Sequence, residues 1–287
     1  MLYLQELVDY LSAGTNVKIC IHDISGILMN ERLALSERNK IHFNEFCNTA
    51  KNTQRGYNLC IACKSIANRK AWQTRKPFCG YCAWGIFEAV YPVVIKNSVQ
   101  CIVYVGNVIA NEDVFVKRAK LACKNTGVGK NDIKTASLTC ARSTDTEKLI
   151  KTAEIIGDFI TLLSDFYMYD KQPKISAENR MSKIIREYTE LNYKQPVTLA
   201  SLSKIYFINE KYLGRILKKS WGMSFHRYLN MVRLHNAEKL LRTEKRTVAD
   251  IAFECGFENV TYFNRMFRLN YGKTPSQYRA EYTKLNI

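Results

Sequence analysis

Apolar residues recur along this chain with two periods, and the change from one to the other divides it. The opening "MLYLQELVDYLS" places its apolar side chains on one face of an amphipathic helix over 1–12. "VKICIHD" and "GILMN" read as two short strands around a glycine turn. "IHFNEFCNTAK" and "LCIACKSIANRKAW" return to helical spacing. "EAVYPVVIKNSVQCIVYVGNVI" alternates and is β-rich, with Lys96, Asn97 and Ser98 as a hairpin turn. "EDVFVKRAKLACKN" is helical again. Helices and strands mixed in this order predict a small α+β domain with an antiparallel sheet.

A long helix follows. Thr144 is a candidate N-cap with Glu147 three residues on, the pattern of a capping box. Leu149, Ala153, Ile156, Ile160, Leu163 and Tyr167 repeat at intervals of three and four, and Ile150, Ile155, Phe159 and Phe166 widen the stripe. So broad a stripe packs on its own domain on two sides, or pairs on one side with a second copy; a dimer helix is the expectation. Pro173 ends it in a polar linker, "DKQPKIS" (Asp170–Ser176). Beyond lie short helical patterns at about 177–192, 198–206, 209–220, 224–241, 247–254, 259–270 and 275–283, with Gly222, Gly256 and Gly272 at sharp breaks. The expected organisation is a sensor-sized domain over 1–143, a connecting helix and linker over 144–176, and an all-α domain over 177–287.

The helical part repeats itself. In "TLASLSKIYFINEKYLGRILKKSWGMS", Leu199 and Leu202 bury one short helix and Asn209 can cap the next. Leu213, Ile216 and Leu217 of that second helix point inward, leaving Lys211, Arg215, Lys218 and Lys219 outward. About 49 residues on, "TVADIAFECGFENVTYFNRMFRLNYGKTPSQYR" does the same: Ile251, Ala252, Phe263 and Phe267 pack, Gly256 turns, and Thr261, Asn264, Arg265 and Arg268 face out. Two short helices across a tight turn form a helix-turn-helix, whose second helix enters the major groove of DNA.

Charge agrees. The 287 residues carry 43 Lys and Arg against 26 Asp and Glu, a net +17, and residues 177–287 alone hold 20 against 10. Such an excess attracts polyanions. The composition, 47% hydrophobic and 24% charged, is that of a folded globular chain. Glu6 and Asp9 near the start argue against a secretory signal. The most apolar run, "CIVYVGNVIA", is half of the roughly 20 residues a membrane span needs. A cytoplasmic protein with no membrane partner is expected. No Ser/His/Asp arrangement, phosphate loop, paired-carboxylate motif or H-E-x-x-H supports an enzyme. An architectural DNA binder without ligand control, or a redox or metal-dependent enzyme using the cysteines, are the alternatives.

The residues "NEKYLGRILKKSWGMSFHRYLNMVRLHNAEKLL" and "VADIAFECGFENVTYFNRMFRLNYGKTPSQYR" resemble the DNA-binding domain of the AraC/XylS family over about Ala177–Tyr282. The run GF-x4-YF-x-R-x-F ending in G-x-TP-x-x-YR is the most specific part. The resemblance implies two helix-turn-helix units reading two successive major grooves of promoter DNA. It implies a transcription regulator, most often an activator, with RNA polymerase as a partner. By position in the motif, Lys211 and Arg215, then Thr261 and Arg265, are the expected base readers. Lys218, Lys219 and Arg268 are expected on phosphates. The sequence departs from the pattern at Gly214, where an outward side chain often reads a base, at Ser203, where Ala is usual, and at the bulky turn "IYFIN".

The order "FCNTAK…LCIACKSIANRKAWQTRKPFCGYCAWGIFEAVYPVVIKNSVQCIVYVGNVI" resembles the PocR sensory domain, a variant of the PAS-like fold, over about Leu4–Gly127. Cys47, the Cys60 helix with Ala67, Cys82 before "WGIFEAVYPVVI" and the strand to Gly106 carry it. It implies a cytoplasmic sensor of a small organic molecule, with simple hydrocarbon derivatives such as diols as the expected class. Trp84, Phe87, Glu88, Tyr91 and Tyr104 are the candidate ligand-binding residues, with Glu88 able to orient a hydroxyl.

Ten cysteines in a reducing compartment point to thiols, metal ligands or redox chemistry. Cys60, Cys63, Cys79 and Cys82 are spaced C-x2-C-x15-C-x2-C, a four-cysteine spacing that suits zinc or an iron–sulfur cluster, with Cys47 as an alternative ligand. Buried thiols, a pocket lining or a C-x-x-C redox pair remain open beside it. Cys20, Cys101, Cys123, Cys140 and Cys255 fit a core, and His22 and His42 read as structural.

Overall fold

The computed structural model describes residues 3–143, 145–167 and 176–285. The expected cap Thr144 and the expected linker up to Lys174 and Ile175 lie outside them, as do the side chains of Phe166 and Tyr167. The chain forms two compact units, residues 1–185 with 200–209 and residues 186–199 with 210–287.

The first unit opens with α1 (Leu4–Ser12), β1 (Lys18–Asp23), α2 (Glu37–Lys40), α3 (Glu45–Ala50) and α4 (Gln54–Thr74). It continues with β2 (Phe78–Tyr81), β3 (Phe87–Ile95), β4 (Ser98–Ile109), α5 (Glu112–Thr126), α6 (Lys130–Ala136), β5 (Ala141–Arg142) and α7 (Thr146–Tyr167). The strands form one sheet in the order β1-β4-β3-β2, antiparallel throughout, with β5 added parallel to β4. Ile95 pairs with Ser98 across a two-residue turn in which Lys96 and Asn97 have φ of 49° and 63°. Both central residues of a type I′ hairpin need that left-handed region.

"GILMN" is not a strand. Asp23 accepts backbone N–H bonds from Gly26 (2.7 Å), Ile27 (3.2 Å) and Leu28 (3.1 Å). Those bonds wind the segment into a single 3-10 turn over Ile27–Met29.

Side chains alternate across the sheet. On one face Phe87, Ala89, Val93, Cys101, Val103 and Val105 pack with α1 and with Leu149, Ala153, Ile156 and Ile160 of α7. On the other, Val90, Ile102 and Tyr104 pack with Cys20 and with Ala71 of α4. A third cluster gathers α3, α5 and α6 around Trp84 and Ile86.

The helix expected as a dimerising connector therefore lies on the sheet. A Cβ on Gly157 would stand 2.3 Å from the Tyr91 ring, so glycine is what lets α7 approach β3. The Tyr91 hydroxyl donates to Asp158 (3.2 Å). Asp145 caps the first turn by accepting from Lys148 N (3.0 Å). Ile155 and Leu162 stay exposed on the outer side.

After α7 the helices are α8 (Ala177–Asn192), α9 (Leu199–Tyr206), α10 (Glu210–Trp221), α11 (Phe225–Thr243), α12 (Val248–Glu254), α13 (Val260–Tyr271) and α14 (Pro275–Leu285). Each falls within a few residues of its expected place. Ser224, Thr247 and Asn259 cap α11, α12 and α13 through side-chain oxygens. In the second unit the core holds Leu234, Ala237 and Leu241 of α11 against Ile251, Phe257, Phe263 and Phe267. No helix among the described residues is long and apolar enough to cross a membrane.

Gly85 turns the chain between β2 and β3 at φ +86°, with an added Cβ 2.6 Å from the Phe115 backbone. Gly85→Ala should cost about 2–4 kcal/mol through left-handed strain and overpacking, read from urea unfolding.

Candidate nucleic-acid interface and sensor interior

In the second unit, α10 buries Leu213, Ile216, Leu217 and Trp221, and α13 buries Phe263 and Phe267. The period of 3.6 then leaves Lys211, Arg215, Lys218 and Lys219 exposed on α10, and Thr261, Arg265 and Arg268 exposed on α13. Asn264 is half-buried, and its Oδ1 is enclosed without a hydrogen-bond partner. The two central arginines are held alike. Arg215 lies over the Tyr212 ring (5.7 Å) and Arg265 over the Tyr262 ring (5.4 Å). Tyr262 is fixed in turn by Asn230, which donates to its hydroxyl (2.8 Å).

Gly214, expected to face outward, approaches Leu199, with an added Cβ 3.5 Å away in ordinary contact. Arg233 is a structural residue: it donates to Tyr193 O (2.8 Å) and Gln195 O (2.9 Å) and lies over Phe257. Glu238 is buried and accepts from the Tyr278 hydroxyl (2.6 Å) while pairing with Arg242.

The five candidate ligand-binding residues do not share one pocket, because the strand alternation separates them. Phe87 and Tyr91 lie on the α7 face, and Trp84 sits in the cluster of α3, α5 and α6. Glu88 and Tyr104 point to the α4 side and meet residues that the pattern had not marked as functional. His42 Nδ1 stands 3.3 Å from Glu88 Oε1, and its ring meets Tyr104 edge-on at 5.1 Å. Lys64 Nζ lies 5.9 Å above the Tyr104 ring. Asn68 donates towards His22 Nδ1 (3.0 Å) and accepts from the Tyr104 hydroxyl. A Cβ on Gly106 would stand 2.7 Å from Glu88, so that glycine leaves room for the carboxylate.

This interior sets its own protonation. Burial opposes a charge on His42, but the negative charges of a Cys20 thiolate and the Glu88 carboxylate outweigh it and hold His42 well above the usual imidazole range, as His42 in turn lowers Cys20. Burial, then the positive charges of Lys64 and His42, hold His22 well below it. Burial lowers Lys64. Burial and then Glu88 raise Tyr104.

The four-cysteine centre is not assembled. Cys79 lies exposed on β2, Cys60 and Cys63 lie half-buried on α4, and Cys82 begins the turn after β2. Among the described residues no three of His, Cys, Asp and Glu stand together as a metal cage. Burial pushes the Cys60 thiol up to about 12 and Cys82 well above its usual value, so both are protonated thiols at neutral pH. Cys47, Cys60, Cys63 and Cys82 nonetheless stand near enough that Cys47 and Cys63 raise the Cys60 thiol and Cys60 and Cys63 raise that of Cys82, while Cys79 is exposed. Cys60 and Cys63 share one turn of α4, whereas Cys79 and Cys82 straddle the end of a strand. Cys20, Cys101, Cys123, Cys140 and Cys255 are buried.

Comparison with known proteins follows the same division. The sensory domain found in PocR matches residues 2–167, and a helix-turn-helix domain matches residues 202–281. The chain belongs to the family that carries the PocR sensory domain, here followed by an AraC-type helix-turn-helix domain. The PocR match includes α7, in keeping with the packing of that helix on the sheet. An uncharacterized HTH-type transcriptional regulator of Escherichia coli K12, YijO, is 34% identical over 107 residues, 37% of this chain and 38% of its own length. The E. coli HTH-type transcriptional activator RhaR is 32% identical over 126 residues, 44% of each. The chain thus spans about two fifths of the length of these curated relatives. Among solved structures, the C-terminal domain of the response regulator yesN from Fusobacterium nucleatum is 36% identical, with a TM-score of 0.33 over 34% of this chain and 95% of that one.

The PocR-type interior yields a pH test. A histidine raised in the folded state adds stability that is fully present below about 6.5 and is lost as pH rises through the folded value. Glu88→Gln should lower the His42 pKa in an imidazole NMR titration and flatten that alkaline loss in urea unfolding. The slope from His22, which runs the other way and has no carboxylate partner, should be unchanged.

Proposed function

We propose that this chain is a sequence-specific DNA-binding transcription regulator under small-molecule control. The carrying observation is that α10 and α13 present the same basic, tyrosine-backed arginine on the face opposite a buried apolar ridge. Each follows a short helix across a tight turn, so each is read as the recognition helix of a helix-turn-helix, two per chain. Regulation as an activator is supported by the name of RhaR. A homodimer is supported by the exposed Ile155 and Leu162 on α7, and RNA polymerase and a cytoplasmic setting by family.

The first unit is read as a PAS-like sensor. Its candidate effector site is the polar interior of Glu88, His42, Lys64 and Tyr104. Carboxylate, imidazolium and phenol together suit a small hydroxylated organic molecule such as a diol, since each can donate to or accept from a hydroxyl.

Arg215→Ala and Arg265→Ala should each flatten discrimination at one position of the bound site, by about 1–3 kcal/mol. Lys218→Ala should instead weaken all sequences alike and reduce the slope of log affinity against log salt by about 1. Duplexes selected from a random pool, followed by titration of single-base variants, check both. Binding that ignores base substitutions would leave only an architectural role.

A further inference from the structure

α9 ends with two of its carbonyls capped from another helix of the first unit. The last carbonyls of a helix lack intrahelical partners. In α9, Ser203 O accepts from Ile208 N (3.1 Å), but Lys204 O and Ile205 O are met by α4: Ser65 Oγ donates to the first and Asn68 Nδ2 to the second, both at 3.2 Å. The Tyr57 hydroxyl and Ser201 Oγ stand 3.5 Å apart along the same seam. Tyr206 packs on the His22 ring (4.9 Å). Phe207 follows at φ +56°, a left-handed position that glycine usually fills, and its ring lies against Trp72 of α4 (6.3 Å).

Asn68 is the centre of this seam and is wholly buried. Its two N–H groups go to Ile205 O and His22 Nδ1, and its oxygen accepts from Tyr104. A carboxamide so placed has one orientation. Turned over, it would set its oxygen against the Ile205 carbonyl, which can only accept. It also leaves His22 Nδ1 as an acceptor, in keeping with a neutral imidazole. One side chain therefore joins β1, β4 and the end of α9.

We propose that α4 is a clamp on α9, with Asn68 as its positioning residue, and that opening the clamp raises affinity for DNA. The proposal rests on the regulator reading above. The helix-turn-helix match begins at residue 202, so α9 is the supporting helix of the first unit that would meet DNA. While its last turn is capped from α4, it adjusts to a groove only by breaking those bonds. An effector that takes the Tyr104 hydroxyl in the polar interior withdraws the partner of the Asn68 oxygen and frees the amide. Differential affinity of that kind is what lets a ligand shift an equilibrium.

The test uses full-length wild type, Asn68→Ala and Trp72→Ala, with a DNA duplex selected by the wild type from a random pool. Trp72 is partly exposed and its loss leaves the buried network in place, so this variant decides the matter if Asn68→Ala does not fold. Amide exchange over 200–209 should quicken by about tenfold in either variant while 248–271 stays as in wild type. The duplex should be bound at least about fivefold more tightly. Unchanged exchange over 200–209, or faster exchange with equal or weaker DNA binding, overturns the clamp. A wild type that selects no duplex removes the regulator reading instead, and with it the DNA consequence; the exchange measurement still decides whether α4 holds α9.

Discussion

Alternation along β3 and β4 is the constraint on which the rest of the first unit depends. One face receives Ala89, Val93, Cys101, Val103 and Val105, is apolar but for the Tyr91 hydroxyl that meets Asp158, and takes α1 and α7. The other receives Val90, Ile102 and Tyr104, with Glu88 beside them. Buried polar groups cost free energy unless they are hydrogen-bonded. The helix laid on that face must therefore supply partners, and α4 does so with Asn68, while Lys64 stands over Tyr104. The opposite characters of the two faces explain why one helix there is a plain cover and the other carries a polar seam.

The same alternation decides how much was legible in the sequence. Short periods read well: β3, β4 and their hairpin, and the helices after residue 176, fall where the pattern puts them, because each buries one face against near neighbours. What the pattern misplaced depends on distant partners. "GILMN" is apolar enough for a strand, but the Asp23 carboxylate claims its N–H groups first. The sheet takes one side of the wide stripe on α7 and leaves Ile155 and Leu162 exposed on the other, and a stripe alone does not name what covers each side. Trp84, Phe87, Glu88, Tyr91 and Tyr104 looked like one pocket because they are close in sequence; odd and even positions of a strand face opposite ways. The missed residues had a signal. Tyr57, Lys64, Asn68 and Ala71 share the helical face of α4 that ought to be apolar throughout, and two polar residues at core-facing positions mark a partner.

The cysteines show how a spacing specific in form is distributed over unlike elements. Here Cys60 and Cys63 ride one helix, and Cys79 and Cys82 are divided between a strand and the turn after it. The residues proposed to face DNA were easier because their inward neighbours fix them. Once Leu213, Ile216 and Leu217, or Phe263 and Phe267, are buried, helical geometry leaves Arg215 and Arg265 no other side to occupy. Asn264 is the exception, near enough to the edge of that buried ridge to be drawn partly in.

A purely apolar seam between α4, the sheet and α9 would hold at least as well, since buried polar networks rarely exceed well-packed hydrocarbon in stability. What hydrocarbon lacks is direction. Apolar side chains repack around a shifted neighbour, whereas the Asn68 amide satisfies its three partners in one orientation and loses them in any other. Tyr104 stands at both ends of that logic, in contact with His42 in the polar interior and bonded to the residue that caps α9. A chain that only needed to bury this surface had no reason to place an amide there. A chain that needs the end of α9 to depend on what occupies the sensor interior requires some group whose bonds are counted one by one.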